Sequence, residues 1–188
     1  VDANKWRQWL DSWAIHAVTP DGLQIPLLAA IGNHEINLAE TTWPKKAKFY
    51  NSLFVVPRKS QVTWRGVDFG QYLSLVILDS DHGFPVKGTQ TKWLNKFLTD
   101  RIDRPYVFAC YHKPTYGTTK PPSLTVREYW TPLFQKHGVD TVFEHDHHTY
   151  KRTHPLSNGK ADEINGVLYL GDGAWGVGTG VIVDREEK

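Results

Sequence analysis

The chain has 188 residues, of which 40% are hydrophobic and 22% are charged. This length and composition are typical of one soluble globular domain, and they exclude a disordered chain. A net charge of +2 spread along the chain indicates no nucleic-acid or membrane partner, and a single cysteine excludes an internal disulfide and a cysteine-based zinc cluster. The sequence lacks methionine and opens without a signal peptide, so we expect the natural start to lie elsewhere.

The first third of the chain predicts a helix, a buried strand and a short second helix. Their ranges, in chain order, are residues 4–17, 27–31 and 46–53. Asn4 is the expected cap of the first helix, and tryptophans at helical spacing on it are expected to pack into a core. The predicted strand is a continuous apolar run, which is the pattern of a strand buried on both faces.

The rest of the chain alternates strands with helices. Apolar runs predict strands at residues 62–64, 72–78, 106–111, 139–143 and 166–170. Gly66 and Gly70 are expected to mark turns between the first two strands. Helical spacing predicts one helix at residues 89–100 and another that begins at a capping box headed by Thr125 and ends at Gly138. This alternation predicts a layered α/β fold built of mixed sheets.

Polar residues follow three of the predicted strands at their carboxyl ends. The three segments are residues 32–35 (Gly-Asn-His-Glu), 112–114 (His-Lys-Pro) and 144–148 (Glu-His-Asp-His-His). Ligands of open α/β sheets bind beyond the carboxyl ends of strands, so we expect the three segments to meet in one crevice. Each segment alone has an ordinary explanation, namely an exposed turn, a satisfied core histidine and a solvated loop.

The third segment predicts metal binding. Crowded imidazoles and carboxylates after a buried strand are costly without a cation. Imidazole, carboxylate and amide-oxygen ligands suit zinc, iron or manganese, and they favour a catalytic site over a sulfur-rich structural site.

Four segments in this order resemble the calcineurin-like metallophosphoesterases, with purple acid phosphatases as the nearest type. They are residues 32–35, the helix that begins near Gln90, His112 with Pro114 and Tyr116, and residues 138–152. The resemblance implies an α/β fold in which two mixed β-sheets pack as a sandwich flanked by helices. It also implies two divalent or trivalent metal ions (iron, zinc or manganese) in a dinuclear centre, and hydrolysis of phosphate esters by a metal-bound hydroxide.

The resemblance also implies roles for single residues. Asn33 and His112 would bind the same metal ion, and His34 would stabilise the phosphoryl group or protonate the leaving oxygen. Contacts with the phosphate ester would come from four further residues, which are Lys113, Tyr116, Arg127 and Arg152. Ordinary surface charge is the alternative for the lysine and the two arginines.

The histidine loop departs from the family pattern, which reads Gly-His-x-His. An ungapped match places Asp146 and His148 on the two ligand positions and His145 on the glycine. We favour this match because aspartate supplies an oxygen ligand without a change of chain length. A slip of one residue stays open, and it would make His145 and His147 the ligands.

The front of the chain departs further from the family. The family's first strand, with its Asp-x-His or Asp-x-Gly motif, and the Gly-Asp motif after it are absent, and residues 1–6 resemble the stretch that follows them. We therefore expect residues 1–188 to form one metallophosphoesterase domain that is N-terminally incomplete and lacks its first strand or strands. A protein this short would lack half of its ligands, so a complete dinuclear site is not expected in it.

Two other functions stay open on the sequence. A noncatalytic or degenerate domain that binds metal or phosphate would keep the fold and part of the ligands. Residues 79–81 (Asp-Ser-Asp) and 146–148 (Asp-His-His) also imitate motifs of the manganese phosphoesterases named for an Asp-His-His triplet. The resemblance alone favours an extracellular or periplasmic location, and the sequence decides neither the choice between monoester and diester substrates nor the oligomeric state.

Overall fold

The computed structural model describes residues 2–43, 45–54 and 62–182, and a six-stranded mixed sheet forms its centre. In chain order the strands are β1 (Arg65–Phe69), β2 (Leu73–Ile77), β3 (Tyr106–Tyr111), β4 (Thr141–Glu144), β5 (Tyr150–Arg152), β6 (Leu156–Ser157), β7 (Lys160–Ala161) and β8 (Leu168–Asp172). The central sheet has the order β1-β2-β3-β4-β8-β5, with its inner strands parallel and both edge strands antiparallel. Strands β6 and β7 form a second, two-stranded sheet.

Two of the three crossovers between parallel strands contain helices. The helices of the described chain are α1 (Ala3–His16), α2 (Lys48–Leu53), α3 (Thr89–Thr99), α4 (Leu124–Tyr129) and α5 (Thr131–Lys136), with 3₁₀ turns at Asn33–Glu35 and Lys45–Ala47. Helix α3 connects β2 to β3, and α4 with α5 connects β3 to β4. The predicted α/β class, with two sheets and flanking helices, is confirmed. No helix in the described ranges combines the length and the apolar character that crossing a membrane demands.

The main core lies between the central sheet and helices α3 to α5. Its fully buried side chains include Val76, Leu78, Leu94, Ala109, Trp130, Phe134 and Val142. Burial of each large apolar side chain contributes about 1.5–3 kcal/mol, against the conformational entropy lost on folding. The core therefore holds the inner strands in place, and with them the strand ends.

Gly66 lies inside β1, and the prediction that it marks a turn is wrong. A Cβ atom at this position would lie 1.8 Å from the ring of Phe97 on α3, so the helix packs directly on the strand backbone. The predicted strand at residues 62–64 is also wrong, because the strand begins only at Arg65. Gly70 does form the predicted turn, with a φ of 57°.

The single helix predicted before β4 is two short helices. Ser123 caps the first of them in place of Thr125, and its Oγ accepts a hydrogen bond from the Val126 N–H at 3.3 Å. Pro132 lies in the first turn of α5, where its missing N–H costs nothing, whereas inside a continuous helix its ring would clash with the preceding turn. Gly138 follows α5 with a φ of 65°, as predicted for a helix stop.

Residues 27–31 form neither a helix nor a strand and pair with no strand in the described chain, so the predicted strand is wrong. The carbonyl oxygen of Ala29 accepts hydrogen bonds from the Tyr50 hydroxyl at 2.9 Å and from the Arg65 guanidinium at 3.0 Å. These side-chain donors thus satisfy the Ala29 carbonyl oxygen, one of the backbone groups that a neighbouring strand would pair.

Helix α1 confirms the first predicted helix but differs in its cap and its packing. The Asp2 carboxylate accepts the Asn4 N–H at 2.9 Å, so Asp2 is the cap. No residue of α1 is buried, and the rings of Trp9 and Trp13 stack on each other and pack edge-on against Trp175. The prediction that these tryptophans enter a core is therefore wrong for the described chain.

Candidate metal and phosphate site

The candidate site lies beyond the carboxyl ends of β3 and β4. The two strands are parallel neighbours, with Tyr111 opposite Glu144. The residues that follow them are therefore side by side, and the His145 N–H donates to the carbonyl oxygen of His112 at 3.0 Å. This register brings two of the predicted polar segments to one place.

The third polar segment arrives through the 3₁₀ turn Asn33–Glu35. The Gly32 N–H donates to Oε2 of Glu35 at 2.8 Å and closes the turn. A Cβ at Gly32 would lie 2.9 Å from both Oε2 of Glu35 and Nδ1 of His112, so the absence of a side chain lets the turn approach the imidazole. In this position Oδ1 of Asn33 lies 2.9 Å from Nε2 of His112.

Asp146 completes the group of side chains around His112. Its backbone is left-handed, with a φ of 55°, and its Oδ1 lies 3.5 Å from Nε2 of His112. Lys120, in the loop after β3, donates to Oδ1 and to the backbone carbonyl oxygen of Asp146, each at 2.8 Å. The hydrogen bond with His112, and after it the one with Lys120, holds the pKa of Asp146 well below its usual range. The carboxylate is therefore ionised at physiological pH.

Asn33, His112 and Asp146 thus bring together an amide oxygen, an imidazole nitrogen and a carboxylate oxygen. This donor chemistry suits one borderline or hard cation such as zinc, iron or manganese. Within residues 2–43, 45–54 and 62–182 no group of three or more His, Cys, Asp or Glu side chains could hold a metal ion. A three-ligand cation site here therefore depends on Asn33 as its third ligand. The chemistry of these three donors suits a single cation, and a dinuclear centre would need further ligands besides the three.

His145 contacts different partners from Asp146. Its Nε2 lies 3.7 Å from Sγ of Cys110, and its Nδ1 lies 3.5 Å from the carbonyl oxygen of Asp172. Burial lowers the pKa of His145 and favours its neutral form. The ligand role of His145 stays a prediction.

His147 and His148 lie in the same loop. Nδ1 of His147 accepts the Thr118 N–H at 3.1 Å, and burial lowers the pKa of His147 to about 4. His148 uses its carbonyl oxygen to accept the Gly180 N–H at 2.6 Å, and its side chain makes no hydrogen bond or ion pair with the described residues. In the segment 144–148, the side chain that forms an ion pair with His112 is that of Asp146. The ligand role of His148 stays a prediction.

His34 and Lys113 each follow a residue of the Asn33–His112 pair. His34 is exposed in the 3₁₀ turn, and Lys113 is held by its backbone N–H, which donates to Oγ of Ser80 at 2.8 Å. Neither side chain has a hydrogen bond or an ion pair in the described part of the chain. Both are therefore available to a ligand, although their catalytic and substrate-binding roles stay predictions.

Arg127 and Tyr116 shape the loop after β3. The Arg127 guanidinium donates to the carbonyl oxygen of Thr115 at 3.0 Å and lies over the Tyr116 ring, 4.7 Å from its centroid. Arg152 is exposed on the edge strand β5. A substrate-binding role for any of these residues stays a prediction.

His82 is a neighbour of the site that the sequence patterns did not identify. Its ring packs edge-on against that of His112, with centroids 5.0 Å apart. Burial, followed by the positive charges of His112 and Lys113, lowers the pKa of His82 to about 3, so this imidazole is neutral at physiological pH. Asp79 accepts the His82 N–H at 2.8 Å just after β2, so the strand-end rule applied to that strand would have found His82.

Comparison with known families agrees with this geometry. Residues 1–149 match the family model for calcineurin-like phosphoesterases. The chain belongs to this family. Membership confirms the resemblance and rules out the Asp-His-His alternative. Asp79 and Asp81, which resemble a motif of the Asp-His-His enzymes, accept backbone N–H groups instead. Asp79 accepts the N–H of His82, and Asp81 accepts that of Val86 at 2.7 Å.

Its relatives include purple acid phosphatases. Purple acid phosphatase 21 of Arabidopsis thaliana is 29% identical over 158 residues, which cover 79% of this chain and 36% of the relative. A protein named probable inactive purple acid phosphatase 1, from the same plant, is 26% identical over 214 residues, covering 95% of this chain and 34% of the relative. This chain thus spans about a third of the length of these relatives.

A solved structure shows the same fold. Purple acid phosphatase PPD1 from yellow lupin (Lupinus luteus) seeds superposes with a TM-score of 0.71 at 18% identity, covering 87% of this chain and 34% of that chain. The predicted calcineurin-like fold is confirmed. The sheet that carries the candidate site is therefore part of a purple acid phosphatase-like architecture.

Proposed function

We propose that this chain belongs to a metal-dependent hydrolase of phosphate esters whose centre includes Asn33, His112 and Asp146. The convergence of the Asn33 and Asp146 side chains on Nε2 of His112, from segments far apart in the sequence, carries the proposal. Membership of the calcineurin-like phosphoesterases and similarity to purple acid phosphatases support it.

Three atoms would hold the cation, and they are Oδ1 of Asn33, Nε2 of His112 and Oδ1 of Asp146. A cation bound there would supply Lewis acidity and positive charge to a phosphoryl oxygen. The hydrogen bond between Gly32 and Glu35 holds the turn that orients Asn33. Because Asp146 is already ionised at physiological pH, it binds a cation without first losing a proton.

The residues beside these ligands would act on the substrate. His34 is an exposed imidazole next to Asn33, and in this role it gives a proton to the leaving oxygen or stabilises the phosphoryl group. Lys113 adds positive charge for the phosphate beside His112. Further candidates for substrate contact are Tyr116, Arg127 and Arg152.

A dinuclear centre needs more donors than this set supplies. We assign one cation to the Asn33, His112 and Asp146 group, and a second cation would need ligands such as His145 or His148 to turn toward it together with further carboxylates. The donor chemistry favours iron, zinc or manganese. An extracellular or periplasmic location rests on the family resemblance alone.

A second candidate is a domain that binds a cation or phosphate without turnover. The alignment with the relative named as a probable inactive phosphatase covers 95% of this chain, and in the described residues no group of three or more His, Cys, Asp or Glu side chains could hold a metal ion. This candidate predicts cation binding without hydrolysis.

Hydrolysis assays separate the two candidates. The full chain is assayed with p-nitrophenyl phosphate and bis(p-nitrophenyl) phosphate in the presence of Zn²⁺, Mn²⁺ or iron. The hydrolase predicts turnover of at least one ester and a loss of about 100-fold or more in His112→Ala. The control is His154→Ala, which removes an exposed imidazole paired with Glu163 and should keep wild-type turnover. Cation binding without turnover of either ester would overturn hydrolysis by residues 1–188 and favour the noncatalytic domain.

A further inference from the structure

Lys120 contacts the candidate cation site in a way that the proposed function does not use. Its ammonium donates to Oδ1 and to the backbone carbonyl oxygen of Asp146, each at 2.8 Å. The same Oδ1 atom lies 3.5 Å from Nε2 of His112. We propose that Lys120 occupies Oδ1 of Asp146 in the cation-free protein, and that a cation entering the site displaces it. This inference rests on the proposed function, because it takes Asp146 as a cation ligand.

Competition for one oxygen atom is the physical basis of the displacement. A metal ion bound to a carboxylate lies about 2.0–2.2 Å from the oxygen, closer than a hydrogen-bonded ammonium does. Two positive charges on the same oxygen repel each other strongly, even in the higher effective dielectric near a protein surface. A divalent cation therefore meets the ammonium of Lys120 as a competitor.

The ammonium can leave at little cost. The Lys120 side chain is 45% exposed, against 21% for Asp146, so the ammonium regains water when the contact breaks. Ion pairs of this exposure contribute little to stability, and the four-carbon stem of lysine is flexible. The Asp146 carbonyl oxygen stays available as an acceptor, so Lys120 keeps a partner after it leaves Oδ1.

The backbone around Lys120 stays fixed while the side chain moves. The Thr118 N–H donates to Nδ1 of His147 at 3.1 Å, and the Thr115 N–H donates to the buried Glu144 carboxylate at 2.5 Å. These contacts anchor the loop without the Lys120 side chain. A substitution of Lys120 is therefore expected to leave the loop folded.

The opposite role would make Lys120 a positioning residue that orients Asp146 for the cation. The two roles predict effects of opposite sign. Loss of a competitor tightens cation binding, whereas loss of a positioning residue weakens it.

Calorimetric titration with Zn²⁺ tests the inference on the full chain, with His112→Ala as the measure of background binding at other sites. We expect Lys120→Met to bind Zn²⁺ up to about fivefold more tightly than the wild type. Lys120→Arg should keep an affinity close to that of the wild type, because it keeps the charge. Lys92→Met removes the same charge from an exposed position on α3 and should leave the affinity unchanged.

The outcomes separate this inference from the proposed function. If the wild type binds Zn²⁺ and Lys120→Met binds it equally or more weakly, the displacement is overturned and the proposed function stands. If neither protein binds Zn²⁺ above background, both are overturned. A second readout is the rate of amine labelling at Lys120, followed by peptide mass spectrometry. This rate should rise when Zn²⁺ is added to the wild type, and an unchanged rate contradicts the displacement.

Discussion

Lys151 on the edge strand β5 forms a buried ion pair with Glu144 at the end of β4. The Glu144 carboxylate also accepts the Tyr111 hydroxyl at 2.8 Å and the Thr115 N–H at 2.5 Å. The Lys151 ammonium also donates to the carbonyl oxygen of Tyr116 at 2.9 Å. The pair therefore ties the end of the sheet to the loop that follows β3, which borders the candidate site.

Loss of Lys151 should destabilise the protein strongly. Lys151→Met leaves the Glu144 carboxylate buried without its counter-charge, and we expect the free energy of unfolding to fall by about 3–5 kcal/mol. Urea denaturation followed by tryptophan fluorescence measures the change. Lys160→Met, at an exposed position on β7, is the control and should change stability little. A loss below about 1 kcal/mol in Lys151→Met would contradict the buried pair.

Close packing of α3 on β1 makes Gly66 intolerant of a side chain. Gly66→Ala forces the Phe97 ring to move, because the new Cβ would lie 1.8 Å from it, and we expect a loss of about 1–3 kcal/mol. Gly178→Ala is the control, since a Cβ there meets no atom within 4 Å. The double variant Gly66→Ala/Phe97→Leu should lose less than the sum of the two single variants. If the stability losses of the two single variants add up in the double variant, the new methyl group at position 66 does not clash with the Phe97 ring.

Substitutions of Ser123 and Thr125 test which of the two residues caps helix α4. Ser123→Ala removes the acceptor of the Val126 N–H and should cost about 0.5–2 kcal/mol of stability. Thr125→Ala lies within the helix and should change stability by less than about 0.5 kcal/mol. Thermal unfolding of both variants measures the difference, and the reverse order would favour the capping box predicted from the sequence.

The ion pair of Asp68 with Arg101 predicts a pH-dependent contribution to stability. Two hydrogen bonds from Arg101, at 2.7 and 2.8 Å, lower the pKa of Asp68 to about 2. The folded-state pKa thus lies below the unfolded value of about 3.9, so the pair stabilises the fold above that value, and the contribution is lost as the pH falls through about 2. The pair lies at the surface, so Asp68→Asn should cost no more than about 1 kcal/mol at pH 7.

Urea denaturation of Asp68→Asn and the wild type over a series of pH values checks the direction of this effect. The difference between the two proteins should be constant at neutral pH and shrink as the pH falls below 4 toward 2. A difference that stays constant down to pH 2 would contradict the lowered pKa of Asp68.

Apolar runs predicted the inner strands of the sheet because each of those strands lies between two paired neighbours and packs one face into the main core. The runs that became β2, β3 and β4 pair on both sides with other strands. The same pattern at residues 27–31 failed, because a strand needs a neighbour, and Tyr50 and Arg65 take the Ala29 carbonyl oxygen instead. Pairing of that kind depends on tertiary contacts that no local pattern contains.

The strand-end rule predicted that the polar segments meet, because it depends only on chain order and parallel pairing. The structure brings His112 and Asp146 together as that rule implies, because they follow the parallel neighbours β3 and β4. Asn33 joins them from a 3₁₀ turn that follows no strand, so its position does not follow from the rule. The orientation of His145 and the arrival of Lys120 were not predictable, since they depend on side-chain rotamers and on the path of the loop after β3. The sequence therefore predicts where the site lies better than which side chains contact one another.

Metal content per chain tests the central claim most directly. The wild type, Asn33→Ala, His112→Ala, Asp146→Ala and the control His154→Ala are dialysed against Zn²⁺ or Mn²⁺, and bound metal is measured by elemental mass spectrometry. We predict one cation per chain in the wild type and the control above a shared background, and its loss in each of the three ligand variants. Retention of that cation in all three ligand variants would contradict the assignment of Asn33, His112 and Asp146 as the cation site.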